Sequence, residues 1–366
     1  MKKKILITLP SFQDPGGVAA FYNSLLPYFP NEEYVFPTLE IGSTRGSGNL
    51  LYPVFDQLRF SRALASYGPD LVLINPSLDL KSFLRDGLLT YQAKRKRLPV
   101  LLFFHGWCKD FEEDITRKFL WFFKHTFGQA DSFVVLATEF KNVLQQWGVT
   151  QPIYLGTTTI DESLLSSFSI SNKLTQINKA PQIKILFLAR LHREKGVFET
   201  VDAVSMLIQK GLSVSLSIAG DGPIVNELQK YVKSLNIQER SICFLGYVRN
   251  TDKINTFAGH HLYCLPSYSE GLPTSVLEAM AFGLPVITRP VGGLVDIFEE
   301  GKMGFMCKGK TAVEIADALE KIITNRPLML QMSEYNHTFA KEHFMASVVA
   351  KKLSGIYKAT IVSDNK

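Results

Sequence analysis

Two carboxylates eight positions apart, Glu270 and Glu278, flank the segment Gly271-Leu272-Pro273-Thr274-Ser275, which begins as a turn and ends as a helix. Upstream, Arg190 and Lys195 stand five positions apart in Arg190-Leu-His-Arg-Glu-Lys195. A guanidinium offers a planar fork and an ammonium a point charge, so the two can neutralise a diphosphate. Peptide N–H groups at a helix start present the positive dipole end to the same anion. Carboxylates do complementary work by accepting hydrogen bonds from sugar hydroxyls. A site that needs both properties is one for a nucleotide-sugar. Each piece also has a plainer reading. Ser275-Val276-Leu277-Glu278 has the form of a capping box, in which Glu278 would satisfy an orphan N–H. Arg190 and Lys195 taken alone read as a solvated basic loop, as do His192 and Arg193. Pro273 has no N–H, so the turn must donate from Leu272, Thr274 or Ser275.

Other segments have the right residue types at strand ends. Asp14-Pro15-Gly16-Gly17-Val18 separates an apolar run from an amphipathic one, and Gly16 and Gly17 would let the backbone approach a phosphate or sugar; a mere turn accounts for them equally. His105-Gly106-Trp107 follows Val100–Phe104, and strand ends facing a cleft gather functional side chains. Ala219-Gly220-Asp221-Gly222-Pro223 reads as a tight turn with a cap at Asp221. No G-x-G-x-x-G fingerprint follows it.

These residues need strands to hold them, and short apolar runs alternate with helical stretches throughout, the pattern of parallel α/β architecture. Expected strands in the first half are Lys4–Leu9, Asp70–Ile74, Val100–Phe104, Ser132–Leu136 and Ile153–Leu155. In the second half they are Ile183–Ala189, Val214–Ala219, Ile242–Leu245, Leu262–Leu265 and Pro285–Thr288. Polar Ser166–Pro181 is expected to be the crossing between domains. The outcome is two doubly wound parallel sheets facing a central cleft.

The combined spacing resembles that of retaining glycosyltransferases of the GT-B fold, family 4 (the glycosyltransferase group 1 type). The match spans most of the second half and thins in the first. It implies an acceptor domain over 1–165, joined by a C-terminal crossing helix at about 345–366, and a nucleotide-sugar donor domain over 182–340. It implies catalytic roles for His105, Arg190, Lys195 and Glu270. Arg190 and Lys195 would stabilise the leaving diphosphate in place of a metal ion, while His105 and Glu270 contact the donor sugar. Gly16, Gly17, Gly271, Leu272, Thr274 and Ser275 would bind the donor, Glu278 the ribose, and the Phe244–Val248 segment with Lys253 the base. Val248 acts there through its backbone. Pro290–Leu294 with Asp296 shapes the pocket without evident chemistry.

Composition bounds the rest. The chain has 366 residues, 46% hydrophobic and 20% charged, enough for two ordinary domains. Its net charge of +6 arises almost wholly after Glu162, since the residues up to and including it hold 17 basic and 16 acidic side chains. That suits an anionic small ligand rather than a nucleic acid. Four scattered cysteines, without a C-x-x-C pair, read as buried free thiols of a reducing cytoplasm. No His/Cys/Asp cluster has metal-ligand spacing, so no metal or other cofactor is expected. No apolar run reaches the roughly 18 residues of a membrane span. The basic run Lys94–Arg97 and aromatic Arg117–Phe127 would seat the chain on the inner face of the cytoplasmic membrane beside a lipid-linked glycan acceptor; a buried helix and a solvated loop explain them equally. Hexosyl transfer in cell-surface polysaccharide synthesis is the reading these expectations favour. A nucleotide-sugar epimerase or a silent nucleotide-sugar-binding protein on the same scaffold are the alternatives.

Overall fold

The computed structural model describes residues 2–12, 16–42, 52–237 and 241–363. The chain divides into two compact units, residues 1–159 with 346–366, and residues 160–345. Each is an open sheet of parallel strands covered by helices.

In the first unit the described strands are β1 (Lys3–Leu9), β2 (Tyr34–Val35), β3 (Thr38–Glu40), β4 (Leu71–Ile74), β5 (Val100–Phe104), β6 (Ser132–Val135) and β7 (Ile153–Leu155). β2 and β3 both pair with β1, and the sheet continues β4-β5-β6-β7. β4, β5 and β6 are buried along their whole length, because helices cover both faces and leave no polar side to the strand. β2 and β3 did not announce themselves in the sequence: at two and three residues they are too short to show a period. Helix Ala346–Ser363 belongs to this unit. Ser132 Oγ lies 2.6 Å from Thr360 Oγ1, Tyr34 Oη lies 2.7 Å from Ser354 Oγ, and Lys358 pairs with Glu33 at 2.7 Å.

The second unit contains β8 (Ile183–Leu188), β9 (Val214–Ala219), β10 (Ile242–Gly246), β11 (Leu262–Leu265), β12 (Val286–Thr288) and β13 (Gly304–Met306). Their spatial order is β10-β9-β8-β11-β12-β13, all parallel. Chain order therefore reverses between β8 and β11, and the crevice beyond the carboxyl ends of those two strands is where such a sheet binds ligands.

Three expectations need correction. Ser166–Pro181 is not a crossing: Ile170–Lys179 is a helix of the second unit, capped by Ser169, whose hydroxyl accepts from the Asn172 amide. Its buried Lys173 donates to the carbonyls of Phe257 (3.2 Å), Ala258 (2.8 Å) and His260, closing the C-terminus of helix Asn250–Gly259. A stretch that looked polar is thus amphipathic, with a lysine on its inner face. The aromatic run Arg117–Phe127 is mostly core. Phe123 and Phe127 are buried, Phe119 and Phe122 pack against the same cluster, and Trp121 alone of the run's aromatic side chains is strongly exposed. Lys94, from the basic run, is held by Asp131 at 2.8 Å. The cysteines are all free, but only Cys264 and Cys307 are buried, while Cys108 is exposed.

Candidate functional site

Five of the second unit's sequence candidates gather at the crevice beyond β8 and β11. Arg190 and Lys195 lie on the loop after β8, Glu270 on the loop after β11, and Thr274 and Ser275 open helix Thr274–Ala281. Together with His192 they line a cavity of about 360 Å³. His192, expected on the open surface, is half-buried there. Arg193 points away, pairing with Glu227 over the ring of Phe198.

Several contacts fix these loops against each other. Gly196, at φ 73°, has no room for a side chain: a Cβ would come 2.4 Å from the Pro266 carbonyl oxygen after β11. The Tyr268 amide donates to the Glu194 carbonyl at 2.8 Å. The Tyr263 hydroxyl of β11 lies 2.7 Å from the Leu188 carbonyl oxygen and 2.8 Å from Ser275 Oγ, tying the helix start to the end of β8. Gly220-Asp221-Gly222 lies flat against the Arg190 loop, with the Leu191 amide donating to the Asp221 carbonyl at 2.8 Å. A Cβ on Gly220 would sit 1.9 Å from the Ala189 carbonyl oxygen. Gly292-Gly293 does the same for the other loop: the Gly293 amide donates to the Gly271 carbonyl at 2.7 Å, and a Cβ on Gly292 would lie 2.2 Å from the Glu270 oxygen. Both turns act by close backbone approach, a role that spacing alone did not reveal.

The charges come in pairs. Lys195 Nζ donates to Glu270 Oε1 at 2.8 Å, with both side chains largely shielded. Lys253 Nζ donates to Glu278 Oε1 at 2.6 Å. That contact replaces the capping box: Pro273 is the N-cap and no side chain caps this helix. Burial raises the Glu278 pKa and Lys253 opposes the rise. The Arg190 guanidinium is exposed on the cavity wall and has no hydrogen-bond or ion-pair partner among the described residues. Two paired carboxylates beside one uncommitted cation form a site ready for an anion. Val248 is half-buried just beyond β10, next to the helix that carries Lys253.

The first unit has a second cluster, at the reversal point of its own sheet between β1 and β4. His105 follows β5, with its ring stacked on Phe103 at 3.9 Å. Its Nε2 lies 2.9 Å from Asn75 Oδ1, the first residue after β4. Asn75 Nδ2 donates to the Thr8 carbonyl of β1 at 2.8 Å, which fixes the amide's orientation. Asn75 Oδ1 also accepts from the Tyr22 hydroxyl at 2.8 Å. An amide oxygen only accepts, so His105 Nε2 carries the proton and Nδ1 presents a lone pair. Burial pushes the His105 pKa down to about 3 and keeps the ring neutral. Tyr22 and Asn75 escaped sequence reasoning. The only signal for Asn75 was its place directly after a buried strand. Gly16 is the N-cap of helix Gly17–Leu25, and a Cβ on either glycine meets nothing within 4 Å among the described residues. Asp14 and Pro15 of that loop lie outside the described residues.

Residues 171–339, almost all of the second unit, match the sequence profile of glycosyl transferases group 1. The second unit is a glycosyltransferase group 1 domain. This domain carries the Arg190/Lys195 and Glu270/Glu278 pairs. An uncharacterized glycosyltransferase of Haemophilus influenzae is 30% identical over 187 residues, 50% of this chain and 52% of that protein. The capsular polysaccharide biosynthesis glycosyltransferase CapM of Staphylococcus aureus is 23% identical over 171 residues, 47% of this chain and 44% of its own. The match thus spans about half the length of these curated relatives. The crystal structure of Anabaena HepE in complex with UDP-glucose superposes with a TM-score of 0.74 at 17% identity, covering 97% of this chain and 99% of that one. The fold is GT-B, with the glycosyltransferase group 1 domain as its second sheet.

Proposed function

We propose that the chain is a metal-independent, retaining glycosyltransferase of family 4 that moves a hexosyl residue from a nucleoside-diphosphate sugar to a hydroxyl acceptor. One observation carries the reading: Arg190, Lys195, Glu270 and the amide-rich start of helix Thr274–Ala281 line one cavity at the reversal point of the second sheet. In this reading the phosphates settle against Arg190 and the helix start, and Lys195 turns from Glu270 toward the departing diphosphate. Charge developing there meets donors already in place. Glu270, released, accepts from sugar hydroxyls. Glu278 accepts from the ribose while Lys253 holds it ionised, and His105 offers Nδ1 to a hydroxyl of the sugar. Attack occurs on the face the leaving group vacates. CapM's role in capsular polysaccharide synthesis and HepE's complex with UDP-glucose support a surface glycan as product and a nucleotide-sugar as donor.

Donor cleavage in the presence of a bacterial glycan-lipid extract, followed by NMR of the product, tests this. The expected result is acceptor-dependent transfer with retained anomeric configuration, undiminished by EDTA and lowered at least about a hundredfold by Arg190→Ala, as for a donor removed from a charge-stabilising site. Acceptor-free conversion of the donor, an inverted product or unchanged turnover in Arg190→Ala would overturn it.

A further inference from the structure

The outward face of helix Leu80–Arg95 is apolar where a surface helix should be polar. Its exposed residues are Leu80, Lys81, Leu84, Leu88, Tyr91 and Arg95. At about 100° per residue these six fall in one sector roughly 100° wide. The four apolar members are 38–46% exposed. Neighbouring helix Tyr52–Tyr67 repeats the pattern with Val54, Phe55 and Leu58, all 52–57% exposed. The two helices meet along a seam where Gln57 Nε2 donates to the Arg85 carbonyl at 3.0 Å and Gln92 Nε2 to Gln57 Oε1 at 2.5 Å. Leu58 is one residue from that seam on its helix, so the stripes lie side by side. Within the two helices the exposed charges share one sign. Arg59, Arg62, Lys81 and Arg95 are exposed, whereas the only acids within the two helices, Asp56 and Asp86, are buried. Asp86 is held by Arg85 at 2.7 Å, and Asp56 accepts from the Gly42 amide at 2.9 Å and pairs with Arg59 at 3.6 Å. Asp79, at the helix start, accepts from the Ser82 amide.

We infer that the paired helices Tyr52–Tyr67 and Leu80–Arg95 form a docking face for an anionic lipid bilayer. Apolar side chains flanked by cations, with Asp79 at the helix start as the exposed carboxylate beside them, fit acyl chains and anionic headgroups together. A second copy of the chain fits poorly, because face-to-face pairing sets Arg59, Arg62, Lys81 and Arg95 against their own equivalents. This face differs from the aromatic run Arg117–Phe127, whose rings other than Trp121 pack in or against the core. The inference stands apart from the proposed glycosyl transfer, since neither helix contributes to the second unit's cavity.

Co-sedimentation with phosphatidylcholine vesicles containing or lacking phosphatidylglycerol tests it on the full chain. Wild type is expected to bind the phosphatidylglycerol vesicles and to be released by salt. Leu84→Ser/Leu88→Ser should weaken binding about tenfold or more, with melting temperature and turnover of a water-soluble donor unchanged. Arg59→Ser/Arg62→Ser should weaken it on anionic vesicles only. Trp121→Ser, on the aromatic run, should leave binding intact. Absence of wild-type binding at low salt overturns the inference. So does equal binding by Leu84→Ser/Leu88→Ser, or a wild-type dimer in solution that the same variant dissolves.

Discussion

Replacing Lys253 with Met isolates the role of the pair that the capping-box reading missed. Glu278 is 5% exposed, and Lys253 Nζ sits 2.6 Å from its carboxylate. Breaking a buried ion pair by removing one partner costs about 3–5 kcal/mol. Lys253 keeps 27% of its side chain in water, so the pair is already partly screened, and a loss of about 2–4 kcal/mol is expected at pH 7.5. The asymmetry is diagnostic. Glu278→Gln leaves a lysine that can reach solvent and should cost about half as much, whereas Lys253→Met strands a carboxylate that cannot. The pH dependence follows from the same geometry. Without Lys253, burial and the charge of Asp161 both raise the Glu278 pKa above its unfolded value. The deficit is then complete above the raised pKa and shrinks as pH falls toward about 4.3. Urea unfolding followed by circular dichroism at pH 7.5 and pH 5.5 reads both effects, and the double variant Lys253→Met/Glu278→Gln should recover at least half of the loss. A Lys253→Met protein within about 0.5 kcal/mol of wild type at pH 7.5, or a deficit independent of pH, would refute the buried-pair reasoning.

Gly292→Ala should lower both the melting temperature and UDP affinity, because its Cβ meets two carbonyl oxygens at 2.2 Å in a backbone at φ 51°; Gly16→Ala, with open space around it, should leave melting unchanged. Lys195→Ala should weaken binding of UDP, GDP or ADP about tenfold or more by calorimetry, the value of one charge-assisted contact. Nitrogen-15 NMR should find His105 neutral, protonated on Nε2, from pH 5 to 8, and Asn75→Asp should bring its titration into that window by adding an adjacent negative charge. Burial holds His260 and His261 down to about 4 and about 3. Unfolded histidines bind protons below about 6.5, so stability should fall as pH drops below that value, by up to about 1.4 kcal/mol per pH unit for each residue. His261→Gln should flatten the acid limb accordingly.

Local signals go far in this chain. Buried strands such as Val100–Phe104 and Val214–Ala219 are legible because a parallel sheet needs continuous apolar runs, and such runs survive in one dimension. Arg190, Lys195 and Glu270 could be placed on one edge because each lies a few residues beyond such a run, where parallel topology puts every strand end; Glu278 lies further on, inside helix Thr274–Ala281. Tertiary structure decided the partners. That Lys195 meets Glu270 and Lys253 meets Glu278 depends on β8 and β11 becoming neighbours although 73 positions separate Leu262 from Ala189, and no local period encodes that adjacency. Asn75 and Tyr22 were invisible for the same reason: they come together with His105 only when β1, β4 and β5 align. Gly220 looked like an ordinary turn, and Gly292 like a pocket-shaping segment without evident chemistry, until the opposing carbonyls showed why nothing larger fits. The aromatic run carried the same ambiguity in reverse, since a ring that faces lipid and a ring that faces a core obey one helical period. Only the packing of Phe83 and Gly87 against Phe122 told them apart.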